Sequence, residues 1–237
     1  MPSSWGLRSR LDGGDESSIR HAAPERLPFS ARDQRLRSLV LPRLGPALRY
    51  HPRVFLRPGE DDLDLATRVP ALLAKITDIR GQITGCARTY LDPSTGGLAA
   101  IESPKRILGQ LHGHAIRFWS DKARTDLIVG EGLENILSVG TALPEFDLAS
   151  CLTATHFGLF IPPPGIKRIW IARDNDEAGR NASTRLRNQL ESRGIACGDL
   201  VPTMGDVNDD LWVFGRDALR RSLLKAMKVQ GLEIEDG

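Results

Sequence analysis

Ile169-Trp170-Ile171-Ala172-Arg173-Asp174-Asn175-Asp176-Glu177-Ala178-Gly179 is a short apolar run that stops abruptly at two carboxylates, and a long helical pattern, Ala178 to Arg193, follows it. A buried strand ending in Asp-x-Asp puts both side chains at its carboxyl end, where open α/β sheets place their ligands. Alternate residues of an extended segment point the same way, so Asp174 and Asp176 can converge on one point. Two converging carboxylates suit a hard cation such as Mg²⁺, which takes one or two carboxylates and fills its other positions with water or phosphate oxygens. The same residues also suit a plainer role, because an Asp or Asn ahead of a helix satisfies free backbone N–H groups.

Two further segments repeat the pattern. Asp126-Leu127-Ile128-Val129 reads as a strand running into Gly130-Glu131-Gly132, and Leu133, Ile136, Leu137 and Gly140 then mark one face of a helix. The flanking glycines let the backbone turn sharply at Glu131. Glu131 also suits the first turn of a helix, where the dipole favours a negative charge. Ile195 to Val201 is a third strand pattern, and it leads into Asp206-Val207-Asn208-Asp209-Asp210. Three successive strands thus deliver acidic groups at their carboxyl ends, a placement that chance does not readily produce.

The wider pattern gives the architecture. Strands are expected at Asp126 to Gly130, Ala149 to Thr153, Arg168 to Ala172 and Ile195 to Val201, with helices at Leu133 to Leu143, Glu177 to Arg193 and Gly215 to Met227. Strands alternating with helices predict an α/β fold, a parallel sheet with helices on both faces, over residues 123–225. Residues 46–122 read as a small β-rich α+β module. Ala71 to Thr77 and Gln82 to Leu91 form a hairpin around the turn Asp78-Ile-Arg-Gly81. Asp92 to Gly97 is a second turn, and Gly109 to Trp119 reads as a further strand. Residues 1–45, rich in Ser, Gly, Arg and Asp without an apolar period, are expected to be disordered or the remnant of a longer N-terminal segment. Residues 226–237 are expected to be a flexible tail.

Composition narrows the function. The chain of 237 residues is 41% hydrophobic, enough for a real core, and its formal net charge of +2 does not by itself point to nucleic acid. Cys86, Cys151 and Cys197 lie far apart, and without a Cys-x-x-Cys pair no zinc site of the usual spacing is expected. A helicase P-loop pattern is also missing. No apolar run reaches membrane-spanning length, no secretory signal opens the chain, and few unpaired cysteines suit a reducing compartment. The expected location is the cytoplasm.

Taken in order, these motifs resemble the Toprim domain shared by DnaG-type primases, topoisomerases and some nucleases. The closer resemblance is to primase-like Toprim proteins of phages, plasmids and integrative elements. It rests on Glu131-Gly-Leu-Glu-Asn-Ile-Leu-Ser138, Ile171-Ala-Arg-Asp-Asn-Asp-Glu-Ala-Gly179 and Gly205-Asp-Val-Asn-Asp-Asp-Leu211. Upstream, Leu48-Arg-Tyr-His-Pro52, Pro70-Ala-Leu-Leu-Ala74, Arg88-Thr-Tyr-Leu-Asp92 and Pro104-Lys-Arg-Ile-Leu-Gly109 are similar to the segment that precedes Toprim in those proteins. Two departures stand out. Many Toprim domains carry an acidic residue four positions after the first Glu, where this chain has Asn135 beside Glu134. Primases of this kind also usually begin with a zinc ribbon.

The resemblance implies metal-dependent nucleotidyl transfer in the replication of a phage or mobile element, with Mg²⁺ or Mn²⁺ as cofactor and no zinc. Asp174 and Asp176 would hold the ion, and Asp206 or Asp209 would complete the site directly or through water. Glu131 would act as general base, or as a further metal ligand. The implied partners are single-stranded DNA, nucleoside triphosphates and a separate helicase or zinc-ribbon protein. Lys75, Arg88, Lys105, Arg106 and Arg117 are the basic residues expected to hold the strand; a solvated sheet face is the alternative reading. Two other functions compete with priming: phosphodiester cleavage by the same acidic residues, and a non-catalytic module that binds nucleic acid or a replication partner.

Overall fold

The computed structural model describes residues 47–56, 67–119 and 125–231. The expectation of disorder for residues 1–45 lies outside the described residues, as does the part of the expected tail beyond residue 231.

β1 (Leu48–Leu56), β2 (Thr67–Thr77), β3 (Ile83–Tyr90) and β4 (Lys105–Gly109) form an antiparallel sheet in chain order. The expected hairpin joins β2 to β3, and Asp78 Oδ1 closes its turn by accepting from the backbone N–H of Arg80 and Gln82 at 2.8 and 2.9 Å. The second turn is closed the same way, by Asp92 Oδ1 on Ser94 N at 2.7 Å. Gly109 to Trp119 is not one strand. Gly109 and Gly113 sit at φ of 93° and 71°, a region that breaks an extended run. The chain leaves the first sheet there and enters the second at β5 (Ile116–Phe118).

The second sheet adds β6 (Asp126–Gly130), β7 (Asp147–Ser150), β8 (Arg168–Ala172) and β9 (Ala196–Leu200), in the spatial order β5-β7-β6-β8-β9. All neighbours are parallel except the edge strand β5, which runs antiparallel to β7. Its helices are α1 (Leu133–Ala142), α2 (Ala154–Phe157), α3 (Glu177–Glu191), α4 (Val207–Phe214) and α5 (Arg216–Val229). The central strands β6 and β8 are apolar and buried beyond their first residues because both faces are covered. Ile128, Trp170 and Ala172 pack on one face with Ile136 of α1, Val207 of α4 and Leu219, Leu223 and Met227 of α5. Leu127, Val129, Ile169 and Ile171 pack on the other with Ala182, Leu186 and Leu190 of α3. Each large aliphatic side chain buried in this way contributes about 1.5–3 kcal/mol.

Other elements also differ from the sequence reading. β7 covers Asp147–Ser150 and not Ala149 to Thr153, and α2 follows it where no helix is expected. The acidic segment after β9 is itself the helix α4, too short to show a clear apolar period. α5 runs two residues past the expected Met227, to Val229. Met227 is fully buried and residues 226–229 are helical, so the expected tail begins later than residue 226.

The antiparallel sheet meets the parallel one at its edge strand β5 and shares the core of the first face. Leu48, Leu72, Ala74, Ile76 and Ala87 share the core of α1, Ile128 and Trp170. Thr77 and Ala115 also exchange backbone hydrogen bonds of 3.0 and 3.2 Å between the two units. Among the described residues, no helix is long and apolar enough to cross a membrane.

The strand order fixes where a ligand can sit. From β6 the chain passes through α1 to β7 on one side, and from β8 through α3 to β9 on the other. α1 and α3 cover opposite faces. The carboxyl ends of β6 and β8 therefore flank a topological switch point, the crevice where open α/β sheets bind ligands.

Candidate active site

Gly130 pairs with Ala172 at the last rung of β6 and β8, so Glu131, directly after β6, and Asp174, two residues after β8, both emerge at this end of the sheet. The backbone carbonyl of Glu131 accepts from Leu152 N at 2.7 Å and Ser150 Oγ at 2.9 Å. Its carboxylate accepts from the backbone N–H of Ala154, yet burial raises its pKa, and the negative Asp176 nearby adds to that.

Asp174 is more strongly perturbed. Burial, then the charges of Glu131, Asp206 and Asp176, lift its pKa from 3.8 to about 6, against a hydrogen bond from Asn135 that lowers it. Asp176 caps α3, its Oδ1 accepting from Gly179 N at 2.6 Å. Gly179 is required there, because a Cβ would lie 2.5 Å from the carbonyl oxygen of Asp174. Asp206 caps α4, accepting from Asp209 N at 2.7 Å. Asp176 and Asp206 therefore cap helices, as the cap reading expects, while their charges reach Asp174.

The structure separates the acidic residues of the third segment. Asp206 is the one whose charge acts on Asp174; Asp209 is not among those charges. Asp210 is buried and accepts from Thr203 N and Met204 N at 2.8 Å each, which closes the turn into α4.

Asn135, a departure in the sequence, is central here. Its Nδ2 donates to Asp174 Oδ1 at 2.7 Å, and its Oδ1 accepts from Asn208 N at 3.3 Å. Ser138 Oγ hydrogen-bonds to Asn208 Oδ1 at 3.1 Å. The spacing of Asn135 from Glu131 was the available signal, but an amide was not read as a site residue. Glu134 does not take its place: it pairs with Lys105 Nζ at 2.5 Å.

The five basic residues do not form one surface. Strand register puts Lys75, Arg88 and Arg106 on the side of Cys86 and Tyr90, away from the parallel sheet. Arg88 and Arg106 flank the Tyr90 ring at 5.9 and 5.8 Å. Lys105 projects to the opposite side and reaches α1, beside the acidic cluster. Arg117 is not a surface group at all. It is 6% exposed, donates to the carbonyls of Thr77, Ala115 and Ile161, and lies over the Phe160 ring. Its strand is covered by both units, so the expectation that Arg117 holds nucleic acid is corrected.

The donor set consists of carboxylates and amides, all hard oxygen ligands, at the end of a sheet. Among the described residues no three His, Cys, Asp or Glu side chains form a ready-made cage for an ion. A cation such as Mg²⁺ takes one or two carboxylates and keeps water or phosphate oxygens for the rest.

Residues 126–217 match the family model of the Toprim domain. The chain carries a Toprim domain. Residues 32–118, upstream of it, match a domain of unknown function, DUF7146. No curated protein matches the chain. Among solved structures, the catalytic domain of the DnaG primase bound to single-stranded DNA is similar at a TM-score of 0.52 and 16% identity, over 89% of this chain and 76% of that one. A DNA primase domain from Pseudomonas aeruginosa gives 0.52 and 16%, over 83% and 72%. The zinc-binding and RNA polymerase domains of the Aquifex aeolicus primase give 0.53 and 15%, over 89% of this chain and 58% of that one. The chain thus spans little over half of the Aquifex structure. At these identities the likeness is one of fold.

Proposed function

We propose that this protein carries out primase-type nucleotidyl transfer on single-stranded DNA, in the replication of a phage or mobile element, with its chemistry in the Toprim domain. One observation carries the reading. Asp174 stands at the switch point between β6 and β8, held by Asn135 Nδ2 at 2.7 Å and by Arg173 Nη1 on its backbone carbonyl at 3.2 Å, and burial with the charges of Glu131, Asp206 and Asp176 pushes its carboxyl up to about 6. A fold tolerates such crowding where a cation is to be bound.

Asp174 and Asp176 are the residues that would hold Mg²⁺ or Mn²⁺, with Asp206 at the edge of the site. The ion, when bound, supplies neutralisation of the triphosphate and of the charge that develops at the attacked phosphorus. Glu131 takes the proton from the attacking 3′ hydroxyl. Its raised pKa favours this role, since a base works best when its pKa approaches the working pH. Asn135 and Asn208 hold the acidic groups in place. Lys105, on the site-facing side of β4, positions the DNA backbone. Nucleoside triphosphates and a single strand are the expected substrates, and a separate helicase or zinc-ribbon protein the expected partner.

The test is incorporation of a labelled nucleotide on a single-stranded template with Mg²⁺ or Mn²⁺, run beside an end-labelled strand that reports cleavage. Extension supports priming. Shortening of the labelled strand instead makes the same residues a nuclease, and neither outcome with intact metal binding makes the domain a binding module.

A further inference from the structure

The orientation of the Asn135 amide follows from its partners. The backbone N–H of Asn208 can only donate, so the atom facing it, at 3.3 Å, is Oδ1. Nδ2 therefore faces Asp174 Oδ1, at 2.7 Å. Asn135 is 7% exposed and Asn208 3%, so water does not readily substitute for either bond. A carboxylate in place of this amide would set two acidic oxygens nearly in contact. Such a pair persists only with a shared proton or a cation between its members. The amide removes that need, because it offers Asp174 a fixed N–H without a charge of its own.

The same amide sets a second relationship. Asn208 lies in the first turn of α4, the turn that Asp206 caps. Binding Asn208 and Asp174 at once registers the head of α4 against the end of β8, and with it Asp206 against Asp174. One oxygen of Asp174 is engaged by Asn135, which leaves the other for an ion.

We propose that Asn135 is a positioning residue whose amide takes the place of a cation between positions 135 and 174, so that the acidic cluster binds one divalent ion instead of two. This rests on the reading of the cluster as a cation site. The amide holds Asp174 and the head of α4 in register before any ion arrives, so the ion meets a site already organised.

The experiment is a calorimetric titration of the full chain with Mn²⁺, for the wild type, Asn135→Asp and Asn135→Ala, each with its melting curve. The wild type should bind one ion and Asn135→Asp two. Asn135→Ala should still bind one ion, but about tenfold or more weakly, the usual cost of losing a group that orients a ligand. Two ions on the wild type overturn the proposal, as does a folded Asn135→Asp that binds one. Should Asn135→Asp fail to fold, Asn135→Ala decides: unchanged affinity overturns the positioning role. A wild type that binds no Mn²⁺ overturns the cation-site reading itself, and this inference with it.

Discussion

Glu131 stands one residue beyond Gly130 and Asp174 two beyond Ala172, the pair that forms the last rung of two neighbouring parallel strands, and the charge of Glu131 acts on the carboxyl of Asp174. The strands that build the core thus also hold two acids in a crevice where neither ionises freely.

Asp174 binds its proton more tightly in the folded chain, with a pKa near 6 against an ordinary 3.8. For a raised carboxyl the folded state holds more protons between those two values, so stability falls as pH rises through that window and stays lowered above it. Asp174→Asn removes the charge and keeps an oxygen for the Asn135 amide. Without divalent ions and at a pH well above 6, this variant should be more stable than the wild type, by on the order of 1 kcal/mol once solvent screening of a half-buried group is allowed for. Melting temperature against pH checks this. Equal melting of the two chains above that window would show that ionising Asp174 costs the fold nothing.

Glu131→Gln keeps size and hydrogen bonding but cannot take a proton. The rate of nucleotide incorporation should fall on the order of a hundredfold or more, while Mn²⁺ affinity changes little. If calorimetry instead records lost affinity, Glu131 is a ligand and not the base.

Gly179→Ala would put a methyl group 2.5 Å from the carbonyl oxygen of Asp174. Backbone must move to admit it, at a cost of roughly 1–3 kcal/mol. The movement falls on the Asp174-x-Asp176 turn. Both melting temperature and Mn²⁺ affinity should drop, and a drop in melting alone would place the strain outside the site.

Lys105 and Arg106 are neighbours in sequence but project to opposite sides of β4. If the strand is held on the side facing the site, Lys105→Ala should lower the salt dependence of single-stranded DNA binding by about 0.7. Arg106→Ala should leave it unchanged. Arg117→Ala should also leave it unchanged, yet lose stability because the guanidinium joins Thr77, Ala115 and Ile161 across the two units. Equal effects of the Lys105 and Arg106 variants would place the nucleic acid elsewhere.

Much of this was legible in the sequence because the signals were local. β6 and β8 match their expected ranges residue for residue, since an apolar run bounded by carboxylates and glycine leaves little freedom. Asp174, Asp176 and Glu131 followed from strand ends alone. What escaped the sequence depended on tertiary contacts. Nothing local marks Asn135 as the partner of Asp174, because the two are 39 positions apart. Arg117 looks exposed by residue type, and only the approach of Thr77 and the Phe160-Ile161 segment buries it. Asp206 and Asp209 are equivalent acids in sequence, and the turn of α4 separates them. Lys105 and Arg106 are divided by strand alternation once the sheet has formed a face on each side.

The most direct test of the account is metal-dependent incorporation of a labelled nucleotide on single-stranded DNA by the wild-type chain and by Asp176→Asn. The account predicts incorporation with Mg²⁺ or Mn²⁺, none without them, and loss of both incorporation and Mn²⁺ affinity in the variant. Incorporation that survives in Asp176→Asn, or a wild type that binds Mn²⁺ and DNA but incorporates nothing, would contradict it.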